Sequence, residues 1–298
     1  MEHTWLKGVM APVLTPMDEA LNPDVPRWIA LCKELLSEGC TGLAPFGTTS
    51  EANSLGIEER MEMLDRALEE GVPAQSLVVG TGTCALPDTV RLSAQAAARK
   101  CAGVLLLPPF YYKGVPEEGL FRSVAQLIEK VGDANLKVYL YHIPPVAVVG
   151  FGLGLIERLL KAYPGTVVGM KDSSGDVEFH LAALKAFPGF DIWAGTEKLL
   201  LANLQGGGVG AISAMANVIA PQIRAFHDSW KEPEASSRQA ALDRHRLSIK
   251  DWPLIPALKA IKAGQTGHAP WRLTRPPLCP LSDSQAQAAL ASYKASFN

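Results

Sequence analysis

Lys171 is the residue of this chain best placed for covalent chemistry. It ends an apolar run that begins at Val167, and strand alternation would put it on the same face as Val167 and Gly169. Burial there disfavours the charged ammonium form, so that more of the amine is neutral and able to attack a carbonyl carbon. The run predicts a Schiff-base-forming lysine, although by itself it equally allows a surface ion pair with Asp172 or Asp176.

Three consecutive hydroxyl residues form a second candidate site. Thr48, Thr49 and Ser50 follow the second apolar segment and lead towards a helix. Free backbone N–H groups at such a loop attract an anion, and the carboxylate of a substrate would suit them. Turn capping is the alternative use of these side chains.

Aromatic residues follow two further apolar segments. Phe110, Tyr111 and Tyr112 come after one, and Tyr141 with His142 closes the next. A tyrosine beside a Schiff-base lysine can pass protons to the carbinolamine and to a leaving hydroxyl when it is hydrogen-bonded in a chain. Packing is the alternative role of these aromatic rings.

Eight short apolar segments supply the elements that would position these side chains. Each ends in small or polar residues and precedes a helix-like stretch. The eight segments are Gly8–Leu14, Thr41–Pro45, Ser76–Gly80, Gly103–Leu107, Leu136–Tyr141, Thr166–Met170, Asp191–Ala194 and Gly208–Ile212. They predict an α/β fold whose parallel sheet closes into a (β/α)8 TIM barrel, with reactive groups at the carboxyl ends of the strands. An open doubly wound sheet is the alternative, but no GxGxxG motif follows the first strand.

The pattern changes after about residue 230. Three helical segments without strand signals follow, namely Ser237–Lys250, Leu254–Ala263 and Ser282–Phe297. We therefore expect a barrel domain over residues 1–230 and a C-terminal helical appendage over residues 231–298. The proline-rich stretch Arg275–Pro280 is expected to be a rigid structural connector.

Composition narrows the class of protein. The chain has 298 residues, 48% of them hydrophobic and 19% charged, with a formal net charge of -2. This balance favours a globular protein with small-molecule partners, because it offers no electrostatic footprint for nucleic acid or an anionic membrane. The segment 1–13 lacks a basic leader with a long apolar run and any spanning segment, so a cytoplasmic location is expected.

Cysteine and histidine are dispersed along the chain. The five cysteines contain no CxxC pair, which disfavours a disulfide framework and a zinc site and predicts reduced thiols in the core. The six histidines form no HxH or HExxH spacing. We therefore expect no metal.

Five motifs in order resemble the dihydrodipicolinate synthase/N-acetylneuraminate lyase family of pyruvate-dependent class I aldolases, over essentially the whole chain. The resemblance is specific because the order matches as well as the motifs. The motifs are Gly47-Thr48-Thr49-Ser50-Glu51, similar to GTTGE or GSTGE, Gly80-Thr81-Gly82, similar to GTG, Pro109-Phe110-Tyr111, similar to P-aromatic-Tyr, Tyr141-His142-Ile143-Pro144, similar to YN-x-P, and Gly169-Met170-Lys171, similar to G-x-K.

The resemblance implies a role for each catalytic candidate. Lys171 would form the imine with a 2-oxo acid, so that no separate cofactor is needed. Tyr141 would position the substrate and pass protons, and Thr48 and Tyr111 would complete the relay. In this family the aromatic that corresponds to Tyr111 is lent by a neighbouring subunit, so a homo-oligomer is expected, with a dimer as the minimal active unit and a tetramer as the usual assembly.

The resemblance also implies a substrate pocket. Thr49 and Gly47, with nearby backbone amides, would hold the carboxylate of pyruvate. Gly195 and Ile212 would line the pocket. Glu197 is the one acid retained where sialic acid lyases carry an acidic pair, and it could bind a substrate hydroxyl.

Two departures from the family pattern narrow the substrate. Val146 stands where dihydrodipicolinate synthases have an arginine for the carboxylate of aspartate semialdehyde, which disfavours that substrate. His142 replaces the usual asparagine and either adjusts the second-substrate pocket or simply fills space. Ser50 adds a hydroxyl in place of the loop glycine.

These residues predict a Schiff-base lyase that cleaves a 2-oxo-4-hydroxy acid to pyruvate and an aldehyde, or forms it from them. A 2-keto-3-deoxy sugar acid is the expected substrate class. The imine acts as an electron sink when the C3–C4 bond breaks, because it takes up the electron pair and leaves a stabilised enamine. A dehydratase of a related sugar acid is the close alternative, because the same enamine can expel a hydroxyl. A dihydrodipicolinate synthase is disfavoured by Val146. A protein that only binds 2-oxo acids is the alternative from a different class, and a metal-dependent aldolase is a further one.

Overall fold

Eight strands form the centre of the molecule in the computed structural model, which describes residues 6–298. Residues 1–5, which include His3 and the start of the segment inspected for a leader, lie outside the described part. The strands are β1 (Gly8–Ala11), β2 (Gly42–Leu43), β3 (Val78–Gly80), β4 (Gly103–Leu106), β5 (Val138–His142), β6 (Val167–Asp172), β7 (Asp191–Ala194) and β8 (Gly210–Ile212).

All the strand pairs are parallel, in the order β2-β1-β8-β7-β6-β5-β4-β3. A parallel bridge between Leu43 and Leu77 joins the two ends of this row. The sheet is therefore a nearly closed barrel, which confirms the predicted (β/α)8 fold, and the doubly wound alternative is wrong.

Twelve α-helices surround and extend the barrel within residues 6–298. They are α1 (Val25–Ser37), α2 (Ile57–Glu69), α3 (Leu86–Ala98), α4 (Glu117–Val131), α5 (Pro144–Ala147), α6 (Leu153–Ala162), α7 (Val177–Ala186), α8 (Leu200–Gln205), α9 (Ala216–Ser229), α10 (Ala235–Leu247), α11 (Leu254–Thr266) and α12 (Asp283–Ala295). The last three are the predicted C-terminal helices. None of the described helices is long and apolar enough to cross a membrane.

Side chains alternate between two cores, as a parallel barrel requires. One set fills the barrel interior and includes Met10, Leu105, Tyr141, Trp193 and Ile212. The other set packs under the helices, and alternate residues of the same strands belong to it. Every strand is therefore buried on both faces, which explains why the strands read as continuous apolar runs.

One irregularity changes which residues share a face with Lys171. The pairing of β5 with β6 shifts register between Val138 and Tyr139. Val167 consequently packs in the outer core, whereas Gly169 lies against the ring of Tyr139 inside the barrel. The expectation that Val167 shares the face of Lys171 is wrong, because simple alternation does not survive a register shift.

The thiols are free and only partly buried. Cys32 and Cys40 are buried and Cys101 is half-buried, but Cys84 and Cys279 are exposed. The expectation of core thiols is therefore wrong for these last two. Within residues 6–298, no three histidine, cysteine or acidic side chains are grouped so as to hold a metal ion.

The seam between β1 and β8 generates a stability prediction. Gly210 has φ of +145°, and a Cβ atom there would overlap the carbonyl oxygen of Gly8. We expect Gly210→Ala to lower the free energy of unfolding by about 2–4 kcal/mol, because it adds backbone strain and a clash in a closed barrel.

Gly119 in α4 provides the control, since an added Cβ meets nothing within 4 Å. Gly119→Ala should raise the free energy of unfolding by about 0.4–1 kcal/mol through the unfolded chain. Urea denaturation of both variants measures the two effects. Equal stability of Gly210→Ala and the unmodified protein would contradict this account of the seam.

Candidate active site

Lys171 lies inside the barrel, one residue before the end of β6. It is paired in register with Tyr141 on β5 and Trp193 on β7, so these three residues lie at one level of the interior. Its side chain is 4% exposed. An amine is therefore held among aromatic and aliphatic side chains near the carboxyl end of the strands.

A short chain of polar atoms connects three of the predicted catalytic residues. The Nζ of Lys171 donates to the phenol oxygen of Tyr141 at 3.4 Å and lies 4.5 Å from the centroid of that ring. The Oγ1 of Thr48 is 3.3 Å from the same phenol oxygen. Among the described residues no carboxylate lies within 4 Å of Lys171, so the geometry favours the buried nucleophile over the surface ion pair.

The loop after β2 carries the hydroxyl residues. Its two ends, Phe46 and Glu51, both have φ of +58°, and the carbonyl oxygen of Gly47 accepts from the backbone N–H groups of Ser50 and Ala52. The N–H groups of Thr48 and Thr49 make no hydrogen bond in the described part of the chain. Such a tight turn, beside the Tyr141 phenol, presents N–H groups that can donate hydrogen bonds to an anion.

Glu197 lies in a pocket at the same end of the barrel, beyond β7. The pocket has a volume of about 460 Å³, and its lining includes Gly195, Ser213 and Arg246. The Ser213 hydroxyl donates to Glu197 Oε2, whereas Oε1 has no partner among the described atoms. Burial raises the pKa of Glu197. The pocket thus offers a buried acid, a hydroxyl and a guanidinium to a ligand.

Gly195 lines the pocket that holds Glu197, whereas Ile212 lies in the barrel interior. Ile212 closes β8 and is 1% exposed within the barrel interior. Gly195 follows β7, and its N–H donates to the carbonyl oxygen of Asp172 at 2.7 Å. A Cβ atom on Gly195 would overlap Ser173, so only glycine fits between the two strand ends.

Tyr111 is not part of this arrangement within one chain. It is 73% exposed, its ring lies 5.3 Å from that of Tyr112, and its hydroxyl makes no hydrogen bond in residues 6–298. Tyr112, Val146 and Val148 are exposed as well. Val146, on the short helix α5, therefore lies at the surface and not against Lys171.

His142 points away from the barrel interior. Its Nδ1 accepts from the N–H of Phe151 at 3.0 Å, and its ring stacks on Phe179 with centroids 4.4 Å apart. Burial lowers the pKa of His142, which keeps the imidazole neutral. Of the two alternatives, the geometry supports space filling. The prediction that His142 binds substrate is wrong for this arrangement, because alternation puts it on the face opposite Tyr141.

Asp172 continues β6 on the outer face and begins a buried polar chain. Its Oδ2 lies 2.8 Å from Nδ1 of His180, and Nε2 of His180 lies 2.9 Å from Oδ1 of Asn203. Asn203 Nδ2 donates to the carbonyl oxygens of Ile192 and Gly210. All three side chains are at most 1% exposed. The chain ties β6 to β7 and β8.

The hydrogen bonds of Asn203 identify the donor and the acceptor in its contact with His180. Both hydrogens of Asn203 Nδ2 are used, so its Oδ1 accepts and His180 Nε2 must donate. Burial alone would raise the pKa of Asp172, but hydrogen bonds from His180 and Ser174 outweigh it and the pKa lies below its usual range. The Asp172 carboxylate is therefore stabilised by the hydrogen bonds that it accepts from His180 and Ser174.

Sequence reasoning missed His180, Asn203, Ser213 and Arg246. His180 and Asn203 lie on helices, where a single polar residue in an apolar stretch is an ordinary pattern. Ser213 immediately follows β8 and could have been found by inspecting every strand end, as was done for Lys171. Arg246 lies on α10, outside the predicted barrel domain, so no strand-end search would have reached it.

The chain is similar to a known enzyme family over nearly its whole length. A model of the dihydrodipicolinate synthetase family matches residues 5–295. A DapA-like lyase of Chloroflexus aurantiacus is 31% identical over 290 residues, which cover 97% of this chain and 96% of that protein.

Solved structures of similar fold include an enzyme that carries the family's name. The structure of dihydrodipicolinate synthase from Agrobacterium tumefaciens is 30% identical, with a TM-score of 0.91, and the match covers 98% of this chain and 99% of that one. A Sulfolobus 2-keto-3-deoxygluconate aldolase in complex with D-KDPG is 20% identical, with a TM-score of 0.87 over 97% of this chain and 95% of that one. At that identity the second similarity shows the fold alone.

The Asp172–His180–Asn203 chain generates a prediction. Replacing His180 by leucine leaves a buried carboxylate without its partner, and we expect the free energy of unfolding at pH 7 to fall by about 3–5 kcal/mol. Adding Asp172→Asn should recover part of the loss by removing the charge. Denaturant unfolding measures both variants, and absence of any recovery would assign the loss to packing.

The pH dependence has a definite sign. Because the folded pKa of Asp172 is depressed, its stabilisation is complete above the unfolded carboxyl pKa of about 4 and is lost as the pH falls through the folded value. Asp172→Asn alone should therefore flatten the loss of stability below about pH 4. Unfolding curves between pH 7 and acid pH provide the measurement.

Proposed function

Because the chain belongs to the dihydrodipicolinate synthetase family, we propose that it is a Schiff-base lyase that makes or splits a 2-oxo-4-hydroxy acid, with pyruvate as one component. The observation that carries the proposal is the Lys171 amine buried 3.4 Å from the Tyr141 phenol, with Thr48 on the other side of that phenol. A nucleophile and a proton carrier in contact are what imine formation requires.

Lys171 would attack the C2 carbonyl carbon of the 2-oxo acid to form a carbinolamine. Tyr141 would deliver a proton to the departing oxygen, so that water leaves and the protonated imine forms. When the C3–C4 bond breaks, its electron pair moves into the imine, and the C4 hydroxyl loses a proton to give an aldehyde. Protonation of the enamine at C3 and addition of water release pyruvate and Lys171. No separate cofactor takes part.

The loop after β2 supports binding of the pyruvate carboxylate. The unpaired N–H groups of Thr48 and Thr49 are donors near the Tyr141 phenol, and the Thr49 side chain is buried beside them. Hydrogen bonds to a charged acceptor are shorter and stronger than neutral ones. Gly47 completes the turn, so Gly47, Thr48 and Thr49 form the candidate carboxylate seat.

The pocket beyond β7 supports binding of the aldehyde half. Glu197 and Ser213 suit hydroxyl groups, and Arg246 suits an anionic end, which favours a sugar acid. The Sulfolobus relative is named for 2-keto-3-deoxygluconate, but its identity of 20% limits that similarity to the fold. The local chemistry of the pocket therefore carries the substrate class.

A second candidate is the synthase reaction named for the Agrobacterium tumefaciens relative, which is 30% identical to this chain. Val146 disfavours it, because an exposed valine supplies no charge for the carboxylate of aspartate semialdehyde. A dehydratase is a further candidate, since the same enamine can expel a hydroxyl from a sugar acid.

Tyr111 supports a homo-oligomeric active form. The exposed Tyr111 and Tyr112 and the exposed Val146 and Val148 lie in two segments that a hydrogen bond from Lys113 to the carbonyl oxygen of Ala147 joins, and together they are an unusual apolar surface for a free subunit. A second copy packed there would cover these side chains and bring a Tyr111 hydroxyl to the relay. A dimer is the smallest assembly that does this.

The imine can be tested by reduction. We expect borohydride with pyruvate to attach the reduced three-carbon acid to Lys171 and to inactivate the protein, and peptide mass spectrometry locates the adduct. Lys171→Arg is the control, because a guanidinium is too weak a nucleophile to form the imine at neutral pH. If the unmodified protein gains no adduct, the Schiff-base mechanism is abandoned.

Turnover of a substrate panel tests the second half of the proposal. We expect pyruvate release from 2-keto-3-deoxy acids to exceed consumption of pyruvate with aspartate semialdehyde. Glu197→Gln should lower kcat/KM for the sugar acid by about 10- to 100-fold, because a substrate hydroxyl would lose the carboxyl group that binds it. Brisk turnover of aspartate semialdehyde would instead favour the synthase, and loss of water from a sugar acid would favour the dehydratase.

A further inference from the structure

We infer that Lys259, on the C-terminal helix α11, is a positioning residue for the carboxylate seat and acts on it through Glu51. Lys259 does not contact Lys171 or Tyr141. Its Nζ forms an ion pair with Glu51 and donates to the carbonyl oxygen of Leu273 at 2.7 Å. Glu51 is the last residue of the loop that carries Thr48 and Thr49, so the pair joins the helical extension directly to the candidate site.

The loop needs such a support because its backbone is strained at both ends. Phe46 and Glu51 have φ of +58°, in the left-handed region that disfavours residues with a Cβ. Residues held there persist only where the surrounding structure over-determines them. Within the loop, the N–H of Glu51 donates to the carbonyl oxygen of Thr48 at 3.1 Å. A movement of Glu51 would therefore carry Thr48 with it.

Among the described residues, the polar partners of the Glu51 side chain both lie in the C-terminal segment. Both side chains of the Glu51–Lys259 pair have 0% exposure. The backbone N–H of Arg275 donates to Oε2 of Glu51 at 3.0 Å. Burial lowers the pKa of Lys259, while Glu51 opposes that effect. Removal of the ammonium would leave an uncompensated carboxylate, which must then move, take up a proton or admit water.

Arg275 is a second link between the C-terminal segment and the region of the loop after β2. Its guanidinium binds Glu59 through two hydrogen bonds of 2.8 Å and also donates to the carbonyl oxygens of Leu21 and Ser54. Glu59 in turn accepts from the N–H of Gly56 at the start of α2. The proline-rich stretch was expected to be only a connector, but through Arg275 it also binds residues 54–59, which follow the carboxylate seat.

A buried ion pair by itself is weak evidence of stability, because well-packed apolar residues of similar volume often replace such pairs without loss. What an apolar pair cannot reproduce is the combined effect on one carboxylate of the Lys259 charge and the hydrogen bond from the Arg275 N–H. The geometry therefore points to placement of the loop as the role of the pair. The kinetic part of this inference rests on the proposed function, whereas the structural part does not.

Lys262 supplies a matched control on the same helix. Its side chain is 3% exposed, and its Nζ forms an ion pair with Glu34 of α1, which is not a residue of the loop. Lys259→Met and Lys262→Met each remove one buried ammonium from α11. Only the first removes a contact with Glu51, which ends the loop that carries the carboxylate seat.

The experiment compares the two variants by hydrogen exchange and by kinetics. In Lys259→Met we expect amide exchange in residues 46–55 to accelerate, and KM for the 2-oxo acid to rise about 10- to 100-fold with a smaller change in kcat, because misplaced donors weaken substrate binding. In Lys262→Met the exchange of residues 46–55 and KM should stay within about threefold of the unmodified protein. Lys259→Arg, which keeps the charge, should restore most of both properties.

Unchanged exchange and unchanged KM in Lys259→Met would overturn the inference, as would an equal effect in Lys262→Met. If Lys259→Met does not fold, the double variant Glu51→Gln with Lys259→Met removes the buried charge and takes its place. Faster exchange of residues 46–55 in the folded double variant supports the inference, and wild-type exchange overturns it. Because exchange requires no turnover, this result stands apart from a failure of the proposed function, which the absence of a pyruvate adduct would reveal.

Discussion

The burial of one amine inside a ring of parallel strands is the constraint around which this molecule is organised. Lys171 is 4% exposed, and its hydrogen-bond partner is the Tyr141 phenol on the adjacent strand. No carboxylate of the described residues forms an ion pair with it, so the phenol supplies the polar contact of the amine. Closure of the barrel between Leu43 and Leu77 keeps this interior separate from the outer core.

Alternation along the strands divides the polar residues into two groups with different tasks. Tyr141 and Lys171 face the interior, where they can meet a substrate, whereas His142 and Asp172 face the helices. The outward-facing side chains are hydrogen-bonded to other residues of the protein, His142 to Phe151 and Asp172 to His180. A one-residue shift in register would exchange the two groups, so the pairing of β5 with β6 is as important for the site as the residue types.

The C-terminal helices are more closely integrated with the barrel than their place in the sequence indicates. Lys259 reaches Glu51 in the loop after β2, and Arg246 lines the pocket that holds Glu197. Residues outside the predicted barrel domain thus hold the loop after β2 and line the pocket beyond β7. A ring of eight strands ends in flexible loops, and packing an additional layer on those loops is a physical means of fixing them.

The sequence by itself determined the eight strand–helix units, the barrel and the position of Lys171, because these follow from local apolar periodicity and from motifs of a few residues. It did not determine the outward direction of His142, the exposure of Tyr111 or the Glu51–Lys259 pair, which joins residues 208 positions apart. A side chain's direction depends on register, and its partner depends on which segments the fold brings together. Neither is encoded in the local pattern, so only the tertiary structure decided them.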